Sequence, residues 1–405
     1  MKLGVLGSDK LVTTTNAVMY EVFAGVRPSE IVIFSEDPPS NEFTHLSNAL
    51  SILGLNPKIR FAVLGDNFAS WQDVFRKEDV DVLDVTPGRK ITALVAASNS
   101  RGKTRYAYLK EEVRGYRVFG HVPLSNIKLV ELGGFAEVPM RAQPTLVKGM
   151  EEVVLDVEGI TATYNLLTLA GRVSIRFGSI PYPATLDELL GRQVTLGDDE
   201  AEYIKTCFKR AGYLRYDEEN LITQSPSILT FDTNVYIEVG ERVGLARKTY
   251  PLRVVYDELD RLSLNYTRNP STKEAKFLLG MATYTRVHGA PSPSLAKHSG
   301  DAGIIEETME RKKHLESLTL VTLDAALAQR AAARGINVIH PHTLRKGVGD
   351  PGEFLRSAVQ YSDVEIYLQE KLVAQLKKED VNHIRFRTLK DEYNYAELIY
   401  HLKNR

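Results

Sequence analysis

Twice along this chain, short β-branched apolar runs alternate with stretches of helical period, and that rhythm leaves few folds open. From Lys2 to about Leu132 the runs are KLGVLG, EIVIFS, KIRFAVLG and VDVLDVT, separated by helix-like stretches such as THLSNALSILG and SWQDVFRKE. Alternation of this kind means βαβ units, because parallel strands need crossovers and the crossover helices cover both faces of the sheet. The predicted product is an open, Rossmann-like α/β sheet that binds ligands beyond the carboxyl ends of its strands. From Ile228 the rhythm returns. SILTFD is a strand, LRVVYDELDRLSL leads into a helix, and SGDAGIIEETMERKKH is a helix; LTLVTLD, AALAQRAAARG and INVIHP then read as strand, helix and strand.

Residues 133–227 have a different character. EEVVLDVEG, ITATYNLLTLAG and RVSIRFG read as strands, GSIPYPAT as a turn, and DDEAEYIKTCFKRAG as an amphipathic helix ending at Gly212. RAGYLRYDEENLI reads as a small hairpin, so helix plus hairpin suggests a winged-helix module; the plainer reading is an α+β connector. The expected domains are therefore 1–132, 133–227 and 228–405. The last carries an extension beyond Leu344: a Gly- and Pro-rich loop, the strands KLVAQLKKE and HIRFRTL, and a final helix in EYNYAELIYHLKNR.

A chain of 405 residues fits two or three cores, and 43% hydrophobic with 25% charged residues is ordinary for a folded, soluble chain. The start shows no basic stretch leading into a long apolar run, so no leader or membrane span is expected and the protein is expected to be cytoplasmic. The single cysteine, Cys207, reads as a buried thiol. A formal net charge of −1 does not exclude nucleic acid, since phosphate contact needs only a local basic face.

Four acids in the second α/β stretch carry the chemistry. Asp232 follows Ile228-Leu229-Thr230-Phe231 directly, and Asp324 comes shortly after Leu318-Thr319-Leu320-Val321, so both sit at strand ends. Parallel strand ends lie side by side above one crevice, which lets carboxylates distant in sequence converge. Glu258 is expected to begin a helix after Arg253-Val254-Val255-Tyr256, and Asp301 another behind the cap Ser299. Four acids in one crevice repel unless cations neutralise them, and hard oxygen donors without Cys or His select Mg²⁺ or Mn²⁺. Hydrolysis of a phosphate ester is the expected reaction. Singly, each acid also suits a cap or a turn.

Phe231-Asp232-Thr233-Asn234, Tyr256-Asp257-Glu258-Leu259, Gly300-Asp301-Ala302 and Val321-Thr322-Leu323-Asp324 resemble the four motifs of PIN-domain ribonucleases, over about a quarter of the chain. The resemblance implies a PIN-like, metal-dependent endoribonuclease. Asp232, Glu258, Asp301 and Asp324 would ligate one or two metal ions, water would attack phosphorus in line, and Asn234, Ser299 and Thr322 would orient the ligands. Asp257 is the rival to Glu258. His340 and His342 in HPHT read as a polar loop without a third ligand. His288 and His298 flank GAPSPSLAK, a loop that with Lys297 and Arg286 is a candidate RNA contact, and Arg311, Lys312 and Lys313 suit a helix end as well as a phosphate. Trp71 is assigned to core packing.

Two loops mark the N-terminal sheet: Gly7-Ser8-Asp9-Lys10 after the first strand, and Thr86-Pro87-Gly88-Arg89-Lys90 before the helical ITALVAAS. Small residues, a helix start and the cations Arg89 and Lys90 favour a phosphate, while G-x-G-x-x-G spacing is absent. The segment Asp84-Val85-Thr86-Pro87-Gly88-Arg89-Lys90 resembles the second motif of CARF domains, Rossmann-fold sensors of cyclic oligoadenylates in CRISPR systems, although Pro87 departs from the usual Thr-Gly-Gly. Together the two resemblances imply a CARF–PIN fusion of the type III CRISPR accessory kind. Such a protein would be a homodimer that binds a cyclic oligoadenylate through Ser8, Asp9, Lys10, Thr86, Pro87, Gly88, Arg89 and Lys90, and cleaves single-stranded RNA, with DNA as the alternative substrate. The competing readings are an unregulated, toxin-like ribonuclease and an inactive ligand-binding scaffold.

Overall fold

A computed structural model describes the whole chain except residues 37–42, 111–114, 192–196, 269–271, 292, 295, 316 and 405. It divides into two units, one comprising Met1–Ile175, Glu365–Leu376 and Arg385–Arg405, the other Arg176–Val364 and Lys377–Ile384. Among the described residues no helix is long and apolar enough to cross a membrane.

The first unit holds a seven-stranded sheet of β1 (Lys2–Leu6), β2 (Glu30–Ser35), β3 (Lys58–Val63), β4 (Val82–Asp84), β5 (Lys103–Leu109), β6 (Ile127–Glu131) and β7 (Ala136–Val138), in the order β3-β2-β1-β4-β5-β6-β7. The first five strands of that row pair in parallel, and β6 and β7 add antiparallel. Helices α1 (Leu11–Phe23), α2 (Thr44–Ile52), α3 (Phe68–Lys77) and α4 (Lys90–Asn99) follow β1 to β4 in turn, which is the mixed α/β, Rossmann-type arrangement. Leu3, Val5 and Leu6 are fully buried, as a central parallel strand requires. Trp71 packs in the core with Phe34, Phe75 and Leu83 and donates from Nε1 to the Gly65 carbonyl at 2.7 Å.

A five-stranded sheet of β8 (Glu152–Asp156), β9 (Val173–Phe177), β15 (Val364–Leu368), β16 (Lys371–Lys378) and β17 (His383–Thr388) has the order β8-β17-β16-β15-β9. Residues 133–227 are split between the two units: up to Ile175 they belong to the first, where β8 and β9 pair with strands from the C-terminal end, and from Arg176 they belong to the second. Sequence pattern reveals that a segment is a strand but not which distant strand it joins. ITATYNLLTLAG is a correction of another kind, because it lies in helix α5 (Val157–Ala170) and not in a strand. Asp156 Oδ1 caps this helix through Gly159 N at 2.9 Å, and the hydroxyls of Thr161 and Thr163 bond back to the carbonyls of Val157 and Gly159. Capping and burial there outweigh β-branched propensity. The final helix, α15 (Tyr395–Lys403), belongs to the same unit.

The second unit contains α6 (Leu186–Leu190), α7 (Asp198–Ala211), β10 (Leu214–Tyr216), α8 (Glu219–Gln224), β11 (Ile228–Phe231), α9 (Thr233–Glu238), α10 (Arg253–Arg268), α11 (Thr272–His288), α12 (Gly300–Lys312), β12 (Leu318–Val321), α13 (Ala325–Ala333), β13 (Asn337–Ile339), β14 (Leu344–Lys346) and α14 (Pro351–Val359). Helix α7 ends as expected at Gly212, whose φ of 84° is the left-handed cap that glycine adopts without steric cost. The hairpin expected after it does not form. β10 pairs antiparallel with β14, and α8 occupies the rest of the segment. β11, β12 and β13 make a parallel sheet in that order. Phe231, Val255, Leu259, Ile304, Leu320 and Leu327 pack its core.

β15 and β16 are joined by Gln369 and Glu370, both left-handed, with φ of 48° and 70°. Consecutive positive φ values define a turn that asparagine and glycine fill without strain. Glu370→Gly is expected to raise stability by about 1 kcal/mol, read as a higher denaturant midpoint at unchanged slope.

Candidate functional site

In the second unit, Phe231, Val321 and Ile339 stand in register on β11, β12 and β13. One position further, Asp232, Thr322 and His340 emerge in a row at the carboxyl ends of the three strands. Thr322, fully buried, donates from Oγ1 to Asp232 Oδ2 at 3.0 Å and receives the Asp324 amide at 3.0 Å. Asp232 is only 4% exposed. Its carboxyl is pushed up to about 6 by burial, and the charges of Glu258 and Asp301 raise it further while the Thr322 hydroxyl and the Thr233 amide oppose the rise. Glu258 and Asp301 are thus within electrostatic reach of Asp232.

Glu258 lies inside α10 and does not begin it. The helix starts at Arg253 because the fully buried Glu307 accepts the amides of Arg253 and Val254 at 3.1 and 3.0 Å, a cap supplied from α12. Glu258 turns toward the crevice and accepts a 2.7 Å hydrogen bond from Thr233 Oγ1. Its rival Asp257 is exposed and pairs with Arg253 at 2.7 Å. Asp301 sits in the first turn of α12 and is held by the guanidinium of Arg330. Asp324 caps α13, its Oδ1 accepting the Leu327 amide at 2.8 Å.

The predicted supporting residues divide. Thr322 donates its hydroxyl to Asp232. Ser299 occupies the N-cap position of α12, but its side chain makes no capping bond. Asn234 is exposed, and among the described residues no hydrogen bond joins it to a carboxylate; its neighbour Thr233 makes that contact instead. Neither Thr233 nor Arg330 carries a sequence signal beyond its place in a motif or on a helix.

All four predicted donors are hard oxygens and Asp232 feels unneutralised negative charge, so the donor chemistry fits Mg²⁺ or Mn²⁺. The spacing is wider than a coordination shell: among the described residues no group of three His, Cys, Asp or Glu stands close enough to hold an ion. Closing a shell requires Asp301 to exchange Arg330 for the cation and Asp324 to turn from Leu327.

The remaining histidines and cations are engaged elsewhere. His288 packs on Tyr236 and Tyr284, bonds the Tyr236 hydroxyl at 2.8 Å, and is pushed down to about 4 by burial. His298 pairs with Glu306 at 3.1 Å, and Arg286 meets Glu241 at 3.5 Å and Asn382 at 2.8 Å. Ser292 and Leu295 of the intervening loop lie outside the described residues. Arg311 bonds the Pro293 carbonyl at 2.9 Å and lies over the Tyr250 ring, and Lys313 pairs with Glu310.

In the first unit the strand order reverses direction at β1 and β4, the switch point where open α/β sheets bind ligands. The loops carrying Ser8, Asp9 and Lys10 and carrying Thr86 to Lys90 leave these two adjacent strands. Gly88 packs on the last residue of β1: a Cβ there would stand 2.2 Å from Leu6 Cδ1, so a larger residue would displace the Leu6 side chain. Ser8 receives the Lys10 amide on Oγ at 3.2 Å, and its own amide is held by Thr14 Oγ1 at 3.1 Å. Thr86 donates its amide to Asp84 Oδ1 at 2.8 Å and accepts the Ala107 amide on Oγ1 at 2.8 Å. Asp9, Lys10, Arg89 and Lys90 are exposed, and Arg89 pairs with Glu36 at 3.1 Å. Beneath the loop, burial and the facing Glu21 hold the Asp84 carboxyl well above the usual range.

Sheets, helices and crevices together define a mixed α/β protein with a Rossmann-type sheet in one unit and an acid-lined parallel sheet in the other. No family model matches the sequence, and no curated protein does. Among solved structures the chain is similar to protein VC1899 from Vibrio cholerae, at 11% identity and a TM-score of 0.31, covering 84% of this chain and 94% of that one. It is also similar to Can2 from Sulfobacillus thermosulfidooxidans in complex with cyclic tetra-adenylate, at 8% identity and a TM-score of 0.28, covering 84% and 95%. Scores this low carry no weight for the reaction, which leaves the residues of the two crevices to define the chemistry.

Because the folded Asp232 carboxyl is pushed up to about 6 against 3.8 for an ordinary aspartate, it leaves stability untouched below about pH 3, where both states hold the proton. Stability is lost as pH rises toward 6, and the full cost persists above it. Asp232→Asn in chelator is therefore expected to be more stable than the parent by about 3 kcal/mol at pH 7, and equal to it near pH 3. Thermal melts at the two pH values check this.

Proposed function

We propose that the chain is a divalent-metal-dependent endoribonuclease of the CARF–PIN kind, regulated by a cyclic oligoadenylate and acting on single-stranded RNA in type III CRISPR antiviral defence. The observation that carries the nuclease reading is the gathering of Glu258 and Asp301 around the buried Asp232 at the carboxyl ends of β11 and β12.

In this reading Asp232, Glu258 and Asp301, with Asp324, hold Mg²⁺ or Mn²⁺. A bound ion supplies charge neutralisation at the phosphate and activation of water. Thr322 fixes the Asp232 carboxylate through Oγ1 and Thr233 fixes Glu258 in the same way, so two donors are oriented before any ion arrives. Arg330 neutralises Asp301 and, with Asp301 holding an ion, would be free to meet a substrate phosphate.

The regulatory reading is supported by the two loops leaving adjacent strands at the switch point, by the close packing of Gly88 on Leu6 at the end of β1, and by the exposed Lys10, Arg89 and Lys90 around them. A homodimer is supported by apolar side chains standing exposed beside those loops, Ile91 and Leu94 on α4 and Tyr106 and Tyr108 on β5. A symmetric ring would meet identical loop pairs across such a two-fold.

The test is cleavage of single-stranded RNA and DNA with Mg²⁺ or Mn²⁺, crossed with cyclic tetra- and hexa-adenylate. Asp232→Asn is expected to lower the cleavage rate by at least about a hundredfold, and undiminished cleavage would show that the site lies elsewhere. Equal cleavage with and without cyclic adenylate would leave an unregulated ribonuclease. Ligand binding without cleavage under any condition would leave a scaffold.

A further inference from the structure

Just past β13, the rings of His340 and His342 lie stacked, with centroids 5.5 Å apart and planes inclined by 18°. The arrangement is built from fixed bonds. His340 Nδ1 lies 3.0 Å from the Thr322 carbonyl, and His342 Nδ1 lies 3.0 Å from the His340 carbonyl. Carbonyl oxygens only accept, so both rings carry a proton on Nδ1 and their orientation is set. Glu218 clamps the outer ring from the side, its Oε1 at 3.1 Å from His342 Nδ1 and its Oε2 accepting the His342 amide at 3.2 Å. His340 is half-buried beside the end of β12, the strand that separates it from Asp232, while the side chain of His342 is 66% exposed.

The chain then enters β14, whose antiparallel register with β10 places Arg215 directly opposite Arg345 and Leu214 opposite Lys346. Like charges facing each other across a strand pair are unfavourable unless an anion lies between or beside them. Arg345 has Asp217 at 2.9 Å, but the Arg215 guanidinium bonds the carbonyls of Gly212 and Val348, and among the described residues neither Arg215 nor the exposed Lys346 has an ion-pair partner. A hollow of about 100 Å³ is lined by Arg215, Arg242 and Arg345 together with Glu219, which pairs with Arg242 at 2.9 Å. Burial and the charges of Arg242 and Arg345 push the Arg215 guanidinium below its ordinary range against the opposing charge of Glu219.

We propose that the His340–His342 stack and the β10–β14 ribbon are a track for a single-stranded nucleic acid leaving the acidic crevice, with a base stacked on His342 and a backbone phosphate between Arg215 and Arg345. An unpaired strand suits the track because a duplex hides the base faces that the ring would meet, whereas every splayed base has a face to offer. The direction of the track rests on the nuclease reading of the crevice; the affinity it provides does not.

The test is fluorescence anisotropy in chelator, so that nothing is cleaved, with a labelled single-stranded RNA of about twelve nucleotides and its duplex as probes. His342→Ala is expected to weaken single-strand binding about tenfold while leaving the duplex unchanged, and His342→Phe, which restores a flat face, is expected to bind within about twofold of the parent. Lys346→Ala is expected to lower the slope of log affinity against log salt by about one. Unchanged single-strand affinity in His342→Ala, or an equal loss for strand and duplex, would overturn the track. Either result could accompany an Asp232→Asn variant that no longer cleaves, so the track and the nuclease reading fail separately.

Discussion

Parallel pairing in register is the constraint on which both crevices depend. When Phe231, Val321 and Ile339 align across three strands, the next residue of each strand must emerge on the same edge and to the same side. That places the carboxylate of Asp232, the hydroxyl of Thr322 and the imidazole of His340 in one line without any loop having to find its way. A shift of one residue in a single strand would turn its member of the row to the opposite face. The same logic acts at β1 and β4, where Gly4 aligns with Leu83 and the loops beyond the two strands leave side by side.

Each unit also keeps charge in its interior. Arg210 and Arg356 are fully buried; Arg210 spends its guanidinium on the carbonyls of Tyr236 and Ile237 at 2.9 Å and on Thr283, and it meets Glu353 at 3.4 Å. Glu353 in turn bonds Arg356 at 2.8 Å, and Arg356 reaches Glu241 at 3.2 Å. These contacts fasten α7, α11 and α14 to the carboxyl end of α9, the helix that begins at the Asp232 strand end. Removing one partner would leave a bare charge in a dry interior, which costs far more than the network contributes as a whole. In the first unit, Glu21 and Asp84 face each other at full burial with Arg105 bonded to Glu21 at 2.7 Å, and burial raises both carboxyls. Holding a proton between them relieves the repulsion.

Much of this was legible in the sequence because it is written in local pattern. The strands of the Rossmann-type sheet, the cap at Gly212, the buried Trp71 and Cys207, and the position of Asp232 behind an apolar run all follow from neighbours a few residues away. What escaped depends on partners far along the chain. The helix expected to begin at Glu258 starts earlier because Glu307, more than fifty residues on, accepts the amides of Arg253 and Val254. RAGYLRYDEENLI looks like a hairpin because its strand has no visible partner nearer than Leu344. Arg330 shows no sign of its attachment to Asp301, and HPHT gives no hint that two imidazoles lie one on the other.

Cys207 lies on α7 with no exposure, and burial pushes its thiol far above the ordinary range. A sulfur that is neither accessible nor ionised cannot be alkylated while the helix is in place. The sequence contains no second thiol to compete for reagent. The molecule thus contains a natural clock: the speed at which a thiol-directed dye attaches measures how often the helix anchored by Arg210 lifts away from its neighbours.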